Sequence, residues 1–216
     1  MTIRVFLADD HAVVRDGLRL ILDARPDITV IGDAADGREA VRQVAELRPD
    51  VVVMDISMPG LNGIEATRQI RGNCPSVKVI VLSMHDSPEY VFQAMKAGAQ
   101  GYLLKESAGR EVVAAVRSVY MGLRHLSHKI VAVVIDDYLE HRKRPVKSPL
   151  ARLSGREREI LQLIAEGKTT KETAEMLSLS QKTIETYRHR LMQKLKITDV
   201  AGLIKFAIRH GITSIG

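Results

Sequence analysis

Three aspartates, a serine and a lysine, standing at the ends of four apolar runs, are the residues of this 216-residue chain best placed to do chemistry. Asp9 and Asp10 follow Ile3-Arg4-Val5-Phe6-Leu7-Ala8, and Asp55 follows Val51-Val52-Val53-Met54. Ser83 closes the run from Val77 to Leu82, and Lys105 closes Tyr102-Leu103-Leu104. Carboxylates about 4 Å apart in a partly buried site repel by several kcal/mol. A hard divalent cation relieves that repulsion, and Mg²⁺ accepts one or two carboxylates while keeping waters. The Lys105 ammonium and the Ser83 hydroxyl suit an oxyanionic group attached at Asp55. Such a set fits phosphoryl transfer to an aspartate, which works by positioning and charge neutralisation. Taken singly, each residue has a blander reading. Asp10 reads as the cap of a helix beginning near Ala12, Lys105 as a solvated lysine and Ser83 as a strand-end hydroxyl. Five polar groups of matching chemistry, gathered at the ends of four apolar strands, favour the site.

The elements that must position them follow from periodicity. Ile3–Ala8, Ile28–Ile31, Val51–Met54, Val77–Ser83 and Tyr102–Lys105 read as strands. Between and after them, apolar residues recur at helical spacing: Val13, Leu18, Ile21 and Leu22; Ala40, Val41, Val44 and Leu47; Ile64 to Ile70; Tyr90 to Met95; and Val112, Val113, Val116 and Val119. Five βα repeats predict a parallel sheet with helices on both faces, connected right-handedly. With the first strand lying centrally beside the third, the three carboxylates converge at the topological switch point, where open α/β sheets bind ligands. Pro59-Gly60 turns the chain just after the acid.

Charge divides the chain. Residues 1–130 hold 16 Lys+Arg against 16 Asp+Glu, residues 131–150 hold 4 against 3, and residues 151–216 hold 12 against 7. Nearly all of the net +6 therefore lies in the last third, as expected of a small basic domain that meets a polyanion. Cys74 is the single cysteine, which excludes an internal disulfide framework and suits a reducing compartment. No apolar run approaches the ~20 residues of a membrane span, and the N-terminus lacks a basic-then-apolar signal. A cytoplasmic protein without membrane association is expected.

From Gly122 to Leu150 the βα rhythm breaks. Ile130, Val131, Val134 and Leu139 fit one face of a helix, and His141-Arg142-Lys143-Arg144-Pro145 with Ser148-Pro149 reads as an exposed connector. Ser154 then opens a helix, with Glu157 three residues on as in a capping box. Ile160, Leu161 and Ile164 form its buried stripe and Gly167 stops it. A short helix from Lys171 to Leu177, a tight turn at Ser178-Leu179-Ser180 and a helix capped by Ser180 follow. Ile184, Tyr187, Leu191 and Leu195 face inward on that last helix, and Lys182, Glu185, Thr186, His189, Arg190 and Gln193 face outward. Two helices across a short turn, the second polar and basic outside, follow helix-turn-helix logic.

Residues 2–122 resemble a response-regulator receiver domain. Asp9-Asp10-His11, Asp55-Ile56-Ser57-Met58-Pro59-Gly60, Ser83, Tyr102 and Lys105 occur in that family's order and spacing. The resemblance implies a flavodoxin-like, doubly wound five-stranded parallel sheet with Asp55 as phosphoacceptor for a sensor histidine kinase. It also implies Mg²⁺ held by Asp9, Asp10, Asp55 and the Ser57 backbone carbonyl, and Ser83 and Tyr102 as the switch pair. Glu106 departs from the proline that often follows the lysine. Residues 153–210 are similar to the LuxR-type tetrahelical DNA-binding domain, through Leu153-Ser154, Arg156-Glu157, Glu159-Ile160-Leu161, Ala165-Glu166-Gly167, Lys182 to Arg188 and Lys194-Leu195. By position, Lys182, Glu185, Thr186 and His189 face bases, and Arg188, Arg190 and Lys194 face phosphates. Together the resemblances imply the NarL/FixJ class: a receiver at 1–122, a linker at 123–149 and a DNA-binding domain at 150–216. The expectation is a non-enzymatic regulator in which phosphorylation frees the recognition helix and promotes a homodimer on promoter DNA. A Mg²⁺-dependent aspartyl phosphatase is the enzymatic alternative, but it wants an acid where Ser57 stands and leaves the basic domain unexplained. A ligand-sensing regulator of the same DNA-binding class leaves the acid, hydroxyl and ammonium set without a role.

Overall fold

The computed structural model describes residues 2–141 and 149–213. Its first half alternates strands and helices: β1 (Ile3–Ala8), α1 (Ala12–Asp23), β2 (Ile28–Ala34), α2 (Gly37–Leu47), β3 (Val51–Asp55), α3 (Gly63–Asn73), β4 (Lys78–Ser83), α4 (Pro88–Ala97), β5 (Gly101–Leu104) and α5 (Lys105–Tyr120). All strands pair in parallel in the order β2-β1-β3-β4-β5, the doubly wound arrangement of a flavodoxin-like fold. Successive residues of β1 and β3 feed opposite layers, as a period of two requires. Val5, Leu7, Val51 and Val53 pack under α1 and α5, whereas Phe6, Ala8, Val52 and Met54 pack under α2 and α3. β3 is buried along its whole length, which explains its unbroken apolar run.

Three expectations are corrected. Lys105 does not end the fifth strand but opens α5, because Glu106-Ser107-Ala108 contains no proline to delay the helix. The sheet has six strands rather than five: His125–Leu126 forms a short β6 beside β5, within the stretch read as linker. α6 (His128–His141) then lays Ile130 and Val134 against the core formed by Tyr102, Leu104 and Val91. Val131 and Leu139, assigned to that same stripe, point to solvent. The rest of the predicted basic connector, residues 142–148, lies outside the described residues.

The second half is helical: α7 (Gly155–Ala165), α8 (Thr170–Met176), α9 (Gln181–Leu195) and α10 (Val200–Arg209). Ser154 and Glu157 form the expected capping box, Thr169 and Glu172 form a second, and Ser180 caps α9 through the Thr183 N–H. Ile160, Leu161, Ile184, Leu191, Leu203 and Ala207 build a core separate from those of the sheet.

Candidate functional site

Register brings the acids together. Ala8 pairs with Met54, so Asp9, one residue beyond β1, lies level with Asp55 at the end of β3. Asp55 pairs with Leu82 and Ser83 with Leu104, which sets the hydroxyl and the lysine on the same carboxyl edge. Lys105 Nζ bridges the pair, 2.8 Å from Asp9 Oδ2 and 3.0 Å from Asp55 Oδ2. Those two oxygens are buried and make no hydrogen bond besides this ionic contact. Asp55 is only 1 % exposed. Burial and then the Asp9 charge push its carboxyl up to about 6, against the downward pull of Lys105 and the Ser57 backbone hydrogen bond. Burial alone would lower Lys105, but Asp9 and Asp55 outweigh it and the ammonium is held above its usual range.

Asp10 does not cap α1: His11 occupies the N-cap position without a side-chain bond, and its N–H donates to Asp9 Oδ1 at 2.9 Å. The freed Asp10 carboxylate is half-exposed and pairs with His11 Nδ1 at 2.6 Å. Asp9, Asp10, His11 and Asp55 each bring a ligand atom within 4.8 Å of the others. The three carboxylates of that set, with two buried oxygens whose one contact is the Lys105 ammonium, fit a hard divalent cation. α3 must start very close to the acid, since a Cβ on Gly63 would stand 1.8 Å from the Asp55 carbonyl oxygen. Ser83 is buried, with its hydroxyl accepting the His85 N–H at 2.9 Å. Tyr102 is fully buried and its hydroxyl donates to the His85 carbonyl at 2.7 Å. Burial raises its phenol further above the usual range.

On the second domain, Lys182, Glu185, Thr186, Arg188, His189, Arg190 and Lys194 are all exposed on α9. The expectation that the receiver masks this helix is not met in this conformation. Their readiness differs. Lys194 Nζ lies 2.7 Å from Glu157, whose side chain is buried, so its charge is already paired. Arg190 sits over the Tyr187 ring at 6.0 Å and keeps its guanidinium at the surface.

Sequence reasoning missed how the two halves meet. α7 and its C-cap residue Glu166 turn Gln162, Glu166, Arg158 and Glu159 toward the receiver, onto the loop after β3 and onto α2 and α3. Gln162 Oε1 accepts from the Asn62 N–H at 2.9 Å and its Nε2 donates to the Met58 carbonyl at 3.1 Å. Glu166 accepts from the Gly60 N–H at 3.2 Å. Arg158 pairs with Glu65 at 3.0 Å, and Glu159 with Arg38 at 2.7 Å. The only signal was a second polar stripe at helical spacing on α7, which a solvated face would show equally.

A sheet edge holding three acids and a lysine, joined to a helix-turn-helix, defines a receiver coupled to a DNA reader. The family description "Response regulator receiver domain" matches residues 5–117, and "Bacterial regulatory proteins, luxR family" matches residues 151–207. The chain belongs to the response regulators, in their NarL/FixJ class. It is 43% identical over 210 residues to the response regulator UvrY of Escherichia coli, covering 97% of this chain and 95% of that one. A solved structure of the Salmonella typhimurium response regulator RcsB is similar at a TM-score of 0.60 with 28% identity, covering 95% of this chain and 97% of that one. A structure of two RcsB dimers bound to two parallel DNAs is similar at 0.59 with 27% identity, covering 95% and 98%. Family and site together define a two-component, DNA-binding transcriptional regulator.

Proposed function

We propose that Asp55 accepts a phosphoryl group from a sensor histidine kinase and that the modified protein binds promoter DNA as a homodimer in the cytoplasm. The bridging of Asp9 and Asp55 by Lys105 carries this reading, because it leaves two buried carboxylate oxygens facing a site with one ammonium. A carboxylate oxygen of Asp55 attacks phosphorus, the P–N bond of the phosphohistidine breaks, and the released imidazole takes up a proton. Lys105 neutralises charge on the transferred oxygens, while Ser83, at the end of the adjacent strand, is placed to donate its hydroxyl to one of them. Asp9, Asp10, Asp55 and the Ser57 carbonyl would hold Mg²⁺, which when bound supplies charge neutralisation for the transfer. The exposed polar row on α9 enters the major groove, with Lys182, Glu185, Thr186 and His189 at base edges and Arg188 and Arg190 at phosphates. Two such domains on adjoining half-sites gain affinity by effective concentration. The RcsB dimers on DNA support this part of the reading.

The test is Asp55→Asn, incubated with acetyl phosphate and Mg²⁺ and read by intact-mass spectrometry. The folded variant is expected to take no label, because an amide is no nucleophile. Label retained at another residue in that variant would reject Asp55 as the acceptor. In parallel, sedimentation of the wild type with a beryllofluoride phosphate mimic should show dimer, and monomer without it.

A further inference from the structure

Arg15 reaches back from the first turn of α1 to partners on two other elements. Its Nε donates to Asp33 Oδ2 at 3.0 Å, and its Nη1 donates to the Asp9 backbone carbonyl at 2.5 Å. Arg19, one turn along the same helix face, pairs with the other Asp33 oxygen, so two guanidinium groups share that carboxylate. Asp33 faces α1 only because β2 is irregular. The pairing of β1 with β2 runs from Val5↔Val30 to Phe6↔Gly32 and skips Ile31. A slip of one residue turns every later side chain to the opposite face. Val30 thus packs under α1, Ala34 packs under α2 and α3, and Asp33, paired with Leu7, turns to the α1 side. Bulges beside functional sites re-aim side chains in this way. Asp9 is held at its other groups as well: its N–H donates to the Ala34 carbonyl at 3.2 Å, Oδ1 accepts from the His11 N–H, and Oδ2 meets Lys105. The Asp10 carboxylate is half-exposed and pairs with the exposed His11 ring. Its direction is therefore set largely by the peptide that joins it to Asp9, whose carbonyl Arg15 holds.

We propose that Arg15, aimed by Asp33, is a positioning residue for the divalent-cation site: by holding the Asp9 carbonyl it fixes the Asp9–Asp10 peptide and directs the Asp10 carboxylate toward Asp55. The proposal rests on the reading of Asp9, Asp10 and Asp55 as cation ligands. Groups that orient metal ligands count nearly as much as the ligands, and losing one typically costs about 10–100-fold in affinity. The role calls for arginine, because one planar fork satisfies a carboxylate and a backbone carbonyl together. A lysine ammonium is a point charge on a flexible stem and cannot hold both in fixed geometry. The sign of the effect separates positioning from plain electrostatics. A guanidinium near the acids repels an incoming cation, so removing its charge alone would tighten cation binding. Removing the bracket loosens binding instead, because Asp10 is no longer aimed. Arg19 supplies the comparison: it carries the same charge on the same Asp33, but its other donor goes to the Val30 carbonyl at 3.5 Å.

The experiment uses the full-length chain as wild type, Arg15→Lys, Arg15→Gln and Arg19→Gln. Mn²⁺, a paramagnetic stand-in for Mg²⁺, is titrated into each, and the free ion is read by electron paramagnetic resonance. In parallel, the rate of Asp55 labelling by acetyl phosphate is followed against Mg²⁺ concentration by intact mass. Both Arg15 variants should bind Mn²⁺ roughly tenfold more weakly than wild type. Their half-saturating Mg²⁺ concentration in labelling should rise by the same factor, with the rate at saturating Mg²⁺ retained. A merely structural lesion would lower that saturated rate and leave the half-saturating concentration where it was. Arg19→Gln should bind Mn²⁺ as tightly as wild type or more tightly. The proposal is overturned if Arg15→Gln binds Mn²⁺ as tightly as wild type, if Arg19→Gln weakens binding as much as Arg15→Gln does, or if only the saturated rate falls. Weaker Mn²⁺ binding by both Arg15 variants, with no label on wild-type Asp55, would uphold the bracket and overturn the phosphoacceptor reading alone.

Discussion

The carboxyl edge of the sheet and the outer face of α9 carry charge under opposite conditions. At the edge, Asp9, Asp55 and Lys105 come from three strand ends separated by 46 and 50 residues, and Lys105 is only 12 % exposed. On α9 the charges lie within one helix of 15 residues, all in contact with water. Burial makes the first set reactive, because the low local dielectric magnifies each pairing and makes the Asp55 carboxylate more basic. Exposure makes the second set adaptable, since a solvated Arg or Lys gives up little when it meets a phosphate. A substitution at the edge should therefore change pH dependence and stability together, whereas one at an α9 cation without a buried acidic partner should change binding alone.

The largest effect is expected at Asp55 in the absence of metal. Its carboxyl titrates at about 6 in the folded chain, above the 3.8 of an unperturbed aspartate, so the fold binds this proton more tightly than the unfolded chain does. The resulting stability is fully present below about pH 4 and is lost as pH rises through about 6. Asp55→Asn escapes that loss. In EDTA at about pH 7.5 it should resist urea better than wild type by roughly 1–3 kcal/mol, and the advantage should fade toward pH 4. A variant less stable than wild type at the higher pH would show that burial does not govern this edge.

A smaller effect separates two cations on α9. Lys194 is 43 % exposed but neutralises Glu157, whose side chain is only 4 % exposed. Burial would raise Glu157, yet Lys194 and the Ser154 contacts hold it below the usual carboxylate range. Lys194→Ala should therefore destabilise the helical domain by about 1–2 kcal/mol, through a shielded carboxylate left unpaired. Arg190→Ala should leave thermal unfolding unchanged, weaken binding to all DNA sequences alike and reduce the salt slope by about 0.9. Equal melting temperatures for the two variants would erase the distinction.

The smallest effect belongs to Lys129, which joins Asp86 at 3.0 Å and Glu106 at 3.4 Å on an open surface. Lys129→Ala should leave urea unfolding and Asp55 labelling as they are, because exposed ion pairs are screened by water and salt. A measurable change in labelling would extend the reactive edge as far as α6.

Much of this arrangement was legible in the chain. The run Val51 to Met54 had to be a doubly buried strand, and an acid directly after it had to stand at the sheet edge, because the period of the side chains and the turn at Pro59-Gly60 are local properties. The capping box at Ser154 and the inward stripe from Ile184 to Leu191 were readable for the same reason. Less certain was the start of α5 at Lys105, where a single absent proline decides between strand and helix. The two residues of β6 were too short for any pattern.

The sequence by itself determined which residues stand at the carboxyl ends of the strands and which line the outer face of α9, because these follow from local side-chain periods of 2 and 3.6. The strand order that brings the acids together was an assumption that the sheet bears out. Only the tertiary structure decided that Gln162 holds Met58 and Asn62 across a separation of 104 and 100 residues. It alone decided that α7, rather than α9, faces the receiver. A polar stripe at helical spacing reads the same whether water or another backbone satisfies it. The choice between them depends on which surfaces are complementary once both domains have folded, and no local pattern records that.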